Sequence, residues 1–502
     1  MKFALVVVLA SILTGASART AGDALRAIET AELTRTLDAG LVAALDDEPA
    51  SSARAALAIG RTKDIAGAAP LRAHLKTSAP GVRAMSAYGL GLLGDASSLG
   101  DLIDLARGDR DSAVRFAAID AVGRILANDP RGETLALAND MLIVARADAD
   151  PVVRAHGVAQ LDVFRASPFA HVVAASLQRA QDQERDETVR WHTGWTISRA
   201  FASVVDSPFL SKELHDRNEL VRAEAARAWG RRGGANAAAL LGTVRDDPSW
   251  RVQLEVREAL LRLAHRPPTE HLIADPPGLH LPRIAAADAA TTRAAAGLAP
   301  KAPTPAPTRT PGAFASPSAS ATPKLTAPDP ARIDLASPVL ATQARDLTSL
   351  GTAPHPRIRI VTTKGTVTLR LAPEWAPSTV ANFLSLADRG YFDGNRWFRI
   401  VPDFVVQTGD PNDNGEGDAG YTIPAEENPL EQSAGIIAMG LNYDKNKAIR
   451  DSAGTQFYLT LSPQLHLDRD FSVFGVVSSG FEVLAHLIES DRIVTVARIS
   501  DG

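Results

Sequence analysis

Two rhythms of apolar and polar residues divide this chain. From about residue 21 to 275 apolar side chains return every three or four positions, the period of helices that bury one face. Val114, Ala118, Ala121, Val122 and Ile125 form one such stripe, and DLIDLARG just before it (residues 101–108) supplies a partner helix. From about residue 356 onward the period shortens to two, and β-branched and aromatic residues gather in short runs bounded by glycine, proline and aspartate. RIRIVTTKGTVTLRL (357–371) predicts a hairpin turning at Lys364-Gly365. RWFRIVPDFVVQTGD (396–410), GIIAMG (435–440), TQFYLTL (455–461) and FSVFGVV (471–477) predict further strands. Helical spacing returns in APSTVANFLSLADRG (376–390), opened by Pro377 and Ser378, and in EVLAHLIES (482–490). Many short strands with two helices predict a closed barrel capped by helices.

Self-comparison of the helical half exposes a repeat. DSAVR, DPVVR, DETVR, NELVR and DPSWR each place an acid or amide (Asp111, Asp150, Asp186, Asn218, Asp247) four residues before an arginine (Arg115, Arg154, Arg190, Arg222, Arg251). Looser copies end at Arg54 and Arg83. The arginines recur at about 33 residues, the spacing of helical solenoids. The acid or amide is expected to cap a helix by accepting free backbone N–H groups. Pro151 and Pro248 then fall at the first helical position, where no N–H is missed. One helix pair cannot bury its apolar face alone, but stacked pairs can. The pattern resembles HEAT-type repeats, which implies a solenoid over residues 21–275. Its arginines are expected to bridge repeats or face solvent rather than do chemistry.

Residues 276–353 break both rhythms. LAPKAPTPAPTRTPGAFASPSASATPK (298–324) buries too little apolar area to offset chain entropy, and reads as a tether. At the other end, MKFALVVVLASILTGASA has a lysine, an apolar run from Phe3 to Leu13 and the small residues Ala16-Ser17-Ala18. This is the pattern of a secretory leader, residues 1–18, cleaved after Ala18. The run is shorter than the about 20 residues a membrane span needs. The expected destination lies across the inner membrane, in the periplasm or outside the cell. A net charge of −5 without a basic stripe argues against nucleic acid as a partner. The lack of cysteine excludes disulfides, thiolate metal sites and thiol nucleophiles.

The run RWFRIVPDFVVQTGD sets a guanidinium, Arg399, and an amide, Gln407, among residues that should form a core. Pro402 breaks the run and suggests a strand end. If the second half folds back beside the first, Arg399, Val405 and Gln407 share a face. That face is half apolar and half polar, as a binding surface is. Next comes DPNDNGEGDAGY (410–421), which opens like a calcium loop with Asp410, Asn412, Asn414 and Gly415. Tyr421 stands where a bidentate glutamate is needed, so the stretch reads as a polar loop with no metal.

The order of these motifs, APSTVANFLSLADRGYFDGNRWFRIVPDFVVQTGD, then GIIAMG, then AGTQFYLTLSPQLHLDRDFSVFGVV, resembles a bacterial-type cyclophilin over residues 356–502. The resemblance implies a closed barrel with two helices and peptidyl-prolyl cis-trans isomerase activity without cofactor or metal. It places the catalytic arginine at Arg399, the proline-pocket phenylalanine at Phe404 and the apolar residue after it at Val405. The glutamine that binds substrate backbone falls on Gln407, and a second one on Gln456. Tyr458 takes the place of a pocket phenylalanine, and Leu467 is the pocket leucine. Gly440-Leu441 stands for the family's Ala-Asn pair, His466 for the eukaryotic tryptophan and Phe471 for a pocket histidine. Phe398 replaces the histidine before the arginine, and an insertion, NYDKNKAIRDSAG (442–454), enlarges the loop beside the site. The expected clients are proline-containing polypeptides in the course of folding, with the repeats as a scaffold for a protein partner. The alternative is a chaperone or scaffold that binds proline segments without turning them over.

Overall fold

The computed structural model describes residues 21–265 and 355–499, except 416 and 446. The expected leader (1–18) and tether (276–353) lie outside the described residues. The chain divides into two units, one on either side of the Thr269–Glu270 junction.

The first unit is a stack of helix pairs. The second helices of successive pairs, Pro49–Thr62, Pro80–Leu93, Ser112–Asn128, Pro151–Gln160, Glu187–Thr196, Glu219–Arg232 and Trp250–Leu263, pack one on the next. Small residues let them approach closely: a Cβ on Gly60 would stand 2.6 Å from the Cα of Gly89. Asp111, Asp150, Asp186 and Asn218 cap their helices, accepting the N–H two residues on.

The repeat arginines bind one pair to the next. Arg83 meets Asp109, Arg115 meets Asp148, Arg154 meets Glu184, Arg190 meets Asp216 and Arg222 meets Asp247. Each arginine also donates through Nη1 to the carbonyl six residues before it. Each acid in turn accepts the N–H two residues after it. The carboxylates of Asp109, Asp148 and Asp247 are only 5–7% exposed. Such pairs fix the stacking register more than they add net stability, because desolvation offsets much of the Coulomb gain.

Two expected copies are out of register. Asp247 is the acid that receives Arg222, and the cap position of the last helix falls two residues later, on Ser249. Pro248 therefore precedes the helix instead of opening it. Gln253 occupies the arginine position and donates to the Asp247 carbonyl. Arg251 and Arg54 reach backward instead, to Glu219 and Glu32. At the other end of the ladder, Thr77 stands where the later repeats have an acid.

The second unit is an eight-stranded antiparallel sheet. Its strands are β1 (Arg357–Thr362), β2 (Gly365–Leu371), β3 (Arg399–Val401), β4 (Val405–Thr408), β5 (Ile436–Met439), β8 (Phe457–Thr460), β9 (Val473–Ser479) and β10 (Ile493–Ile499). A separate hairpin, β6 (Tyr443–Asp444) and β7 (Lys447–Ala448), stands apart from it. The sheet order is β10-β1-β2-β9-β5-β8-β4-β3. Its two edges meet at an Arg396–Arg492 bridge, where Ile493 N–H donates to the Asn395 carbonyl at 2.9 Å, closing the sheet at that end. The first hairpin turns at Thr363-Lys364, one residue earlier than expected, because Thr362 pairs with Gly365. The core holds Trp397 with Phe383, Phe392, Phe457 and Phe474. Phe383 lies 5.2–5.3 Å from the last three rings.

The Pro377–Asp388 helix packs Val380, Phe383 and Leu384 into the main core of the sheet. Its own cap position, Ala376, offers no side chain, and Glu426 serves from a distance. The Glu426 carboxylate accepts the N–H groups of Ser378 (3.0 Å) and Thr379 (2.8 Å), a favourable place for an anion. The helix expected over 482–490 is a single turn, Phe481–Leu484. Asp491 ends it: its carboxylate accepts Ile488 N–H and the Thr363 hydroxyl, drawing the chain into β10.

Candidate active site

Strands β3 and β4 are joined by a tight turn at Pro402-Asp403-Phe404, with Asp403 at φ 55°. The register sets Arg399 opposite Gln407 and Val401 opposite Val405. Arg399, Val405 and Gln407 therefore share a face. Neighbouring β8 brings Tyr458 opposite Gln407, and β5 brings Ala438 opposite Tyr458.

On that face Val405, Ala438, Tyr458, Leu467, Phe471 and Val473 form an apolar floor apart from the main core. Phe404 and Leu441 pack at its edge. Tyr458 and Phe471 meet edge to face, 5.6 Å apart. Tyr458 is buried, so its hydroxyl needs a partner and donates to Gln432 Oε1 at 3.1 Å. Burial holds its phenol well above the usual value. His466 lies over Phe404 at the exposed rim. Phe471, where a histidine was the family expectation, joins the floor as a hydrocarbon surface.

The polar groups form a chain across the floor. Arg399 Nη1 donates to Gln407 Oε1 at 3.3 Å. Gln407 Nε2 donates to Gln456 Oε1 at 3.1 Å, and Gln456 Nε2 donates to the carbonyls of Gly415 and Gly417. Both glutamines are thus fixed in orientation by a backbone anchor. The Gly440 N–H is committed to the Gln456 carbonyl at 2.8 Å. Arg399 is exposed at the rim with its guanidinium carbon 5.4 Å above the Phe404 ring. Desolvation by its apolar neighbours draws it below the usual guanidinium value, though an arginine stays protonated in proteins. Among the described residues no carboxylate pairs with it.

Apart from Phe398, the residues that the motif match singles out lie on this face or at its rim. Phe398 points the other way, against Gly415 of the following loop. In that loop Asp410 accepts the N–H groups of Asn412 (2.7 Å) and Asn414 (2.8 Å), so its carboxylate is satisfied by backbone. Among the described residues no cluster of acids and histidines could hold a metal. Sequence reasoning missed Gln432, which holds Tyr458, and the carbonyls of Gly415 and Gly417, which hold Gln456. It also passed over Tyr443, an exposed ring 6.5 Å from Phe471. The signal for Tyr443 was the inserted loop itself.

Both units are similar to known protein families. The cyclophilin type peptidyl-prolyl cis-trans isomerase family matches residues 357–499, and HEAT repeats match residues 39–123 and 68–161. Peptidyl-prolyl cis-trans isomerase B of Bacillus subtilis is 40% identical over 127 residues, 25% of this chain and 85% of that protein. A peptidyl-prolyl cis-trans isomerase of Synechococcus elongatus is 37% identical over 143 residues, 28% of this chain and 94% of the relative. A crystal structure of a Cryptosporidium parvum cyclophilin type isomerase aligns with 26% identity and TM-score 0.28, over 30% of this chain and 99% of that one. The chain belongs to the cyclophilin-type peptidyl-prolyl cis-trans isomerases, with the isomerase domain at its C-terminal end. Ahead of that domain it carries a HEAT-repeat scaffold.

Proposed function

We propose that Arg399 is the catalytic group and that the apolar floor binds the proline ring. An Xaa-Pro bond isomerises slowly because twisting breaks amide resonance, behind a barrier of about 18–20 kcal/mol. No bond has to be broken, so neither nucleophile nor metal is needed. As the bond twists, the proline nitrogen regains a lone pair, and a guanidinium can donate to it. Phe404, Val405, Tyr458, Leu467 and Phe471 hold the ring, with His466 at the edge. Gln407 and Gln456 hold substrate backbone, and the Gly440-Leu441 segment borders it. The observation that carries this reading is the state of Arg399: an exposed cation beside an apolar floor, aligned by Gln407 and with no carboxylate among the described residues to claim it.

Magnitudes limit what Arg399 supplies. Going from tens of seconds to milliseconds takes about 10⁴-fold, or about 5–6 kcal/mol. One charged hydrogen bond gives about 1.5–3 kcal/mol. The remainder falls to a preorganised, desolvated face that fits the twisted form better than the planar one.

The chain as a whole reads as a leader (1–18), a HEAT-type solenoid (21–275), a tether (276–353) and the isomerase domain (356–502). The clients are proline-containing segments of folding proteins, and the repeats recruit them or a partner. Export follows from the order of lysine, apolar run and small residues at the N-terminus. Among the described residues no helix is long and apolar enough to cross a membrane. An isomerisation assay on short proline peptides tests the central reading. Turnover that Arg399→Ala lowers by one to a few orders of magnitude supports it; binding without turnover points to a chaperone or scaffold. Mass measurement of the exported chain tests cleavage after Ala18.

A further inference from the structure

Tyr443 stands on the β6–β7 hairpin, opposite Ala448, with Asp444 opposite Lys447. It is 54% exposed, the one large hydrophobic side chain so exposed among the described residues of the C-terminal unit. Its ring lies 6.5 Å from Phe471, tilted by 41°. Across the strand pair, Ala448 packs against the apolar floor. Partial burial pushes the Tyr443 phenol up, while the Arg399 guanidinium pulls it down; the net rise keeps the hydroxyl protonated at neutral pH.

The hairpin is held firmly at its base. Ile449 N–H donates to the Asn442 carbonyl at 2.7 Å, and Asn442 N–H to Ser452 Oγ at 2.9 Å. Arg450 grips the buried Glu427 carboxylate with Nε (2.8 Å) and Nη2 (3.2 Å). Ala425 N–H donates to Asp451 at 2.7 Å. A hairpin anchored this way holds the Tyr443 ring at a fixed place on its first strand.

We infer that Tyr443 is a specificity-determining residue that contacts the side chain preceding proline, and favours large apolar or aromatic residues there. The inference rests on the placement of Arg399 at the proline nitrogen. The preceding residue is bonded to that nitrogen, so it emerges beside Arg399. Phe471 belongs to the floor under the proline ring. Tyr443 lies 6.5 Å from Phe471 and near enough to Arg399 for the two to influence each other electrostatically, which sets it toward the residue before the ring. An exposed aromatic face gains contact only when a side chain of comparable size covers it. Arg450 is then a positioning residue, acting through the hairpin.

The test uses the full chain and the peptides Ala-Xaa-Pro-Ala with Xaa as alanine, leucine or phenylalanine. The wild type should show a kcat/KM about tenfold higher for phenylalanine than for alanine, a ~1.4 kcal/mol preference. Tyr443→Ala should bring that ratio close to one, mainly through KM, and Tyr443→Phe should keep it. Arg450→Met should lower the ratio partway without removing it. A ratio unchanged in Tyr443→Ala, or a change that follows the residue after proline instead, overturns the assignment. Binding titrations of the same peptides give the same ratio independently of turnover. An inactive protein whose binding still discriminates through Tyr443 would refute the isomerase reading and leave this contact standing.

Discussion

The imidazole of His466 lies against the ring of Phe404, with centroids 5.5 Å apart and planes 19° from parallel. The residue thus extends the apolar floor outward at the exposed rim. In eukaryotic members of the family a tryptophan at this position donates a hydrogen bond to cyclosporin and offers a broader face. An imidazole offers less area, and losing both area and bond should cost a few kcal/mol. Cyclosporin should therefore inhibit this protein weakly, and His466→Trp should tighten inhibition by far more than it changes peptide turnover. Inhibitor titrations of both forms decide it. Equal inhibition of the two would show that His466 does not set the affinity.

Arg399→Ala should lower kcat/KM on short peptides by one to a few orders of magnitude, the scale of a lost charged hydrogen bond. Arg399→Lys should recover only part, because a point charge cannot both reach the proline nitrogen and keep the planar contact with Gln407. Circular dichroism should show the fold intact, since the guanidinium is exposed and bridges no core elements. Full activity in a folded Arg399→Ala protein would sink the mechanism.

The ladder of the helical unit makes its stability sensitive to acid. Asp109 is held below the ordinary carboxylate value chiefly by its hydrogen bond from Arg83. For Asp148 and Asp247 desolvation pushes the other way, and is outweighed by the arginine and a backbone N–H. A carboxyl depressed in the folded state stabilises above its unfolded value, about 3.9, and that contribution fades as pH falls through the folded value. Thermal melts should thus show no loss from these groups between pH 7 and 5, and a steep loss below about pH 4. Asp148→Asn should cost about 1–3 kcal/mol at pH 7 and flatten part of the acid limb. A melt of that variant indistinguishable from wild type at pH 7 would show the pair to be energetically idle.

A fragment of residues 356–502 should isomerise short peptides as fast as the full chain, because every proposed site residue lies within it. On an unfolded protein with a slow proline phase, refolding monitored by fluorescence should be accelerated less by the fragment if the repeats recruit the client. Equal acceleration would assign the repeats to a different partner.

The polar face was legible because it violated its surroundings. Arg399 and Gln407 are out of place on an apolar strand, and Pro402 fixed where the strand had to turn. The ladder was legible only in half. Alignment on the capping residue found Asp111, Asp150, Asp186 and Asn218, but missed the acid two positions earlier, which is the arginine's partner. That same omission slid the last repeat by two residues, since Asp247 looks like a cap while Ser249 holds the position. The helix expected at 482–490 failed for a tertiary reason: Asp491 is recruited by Thr363, some 130 positions away in the chain, which no local pattern reveals. The Glu426 cap on the Pro377–Asp388 helix was hidden for the same reason.

The five rungs from Arg83 to Asp247 run in one direction, each arginine reaching forward to an acid of the next repeat. The ladder's last rung position carries an amide, Gln253, and its first lacks an acid, because Thr77 stands there. The run of rungs therefore stops on a neutral residue at either side. One contact repeated five times thus sets the register of six successive helix pairs, from that of Arg83 to that of Asp247.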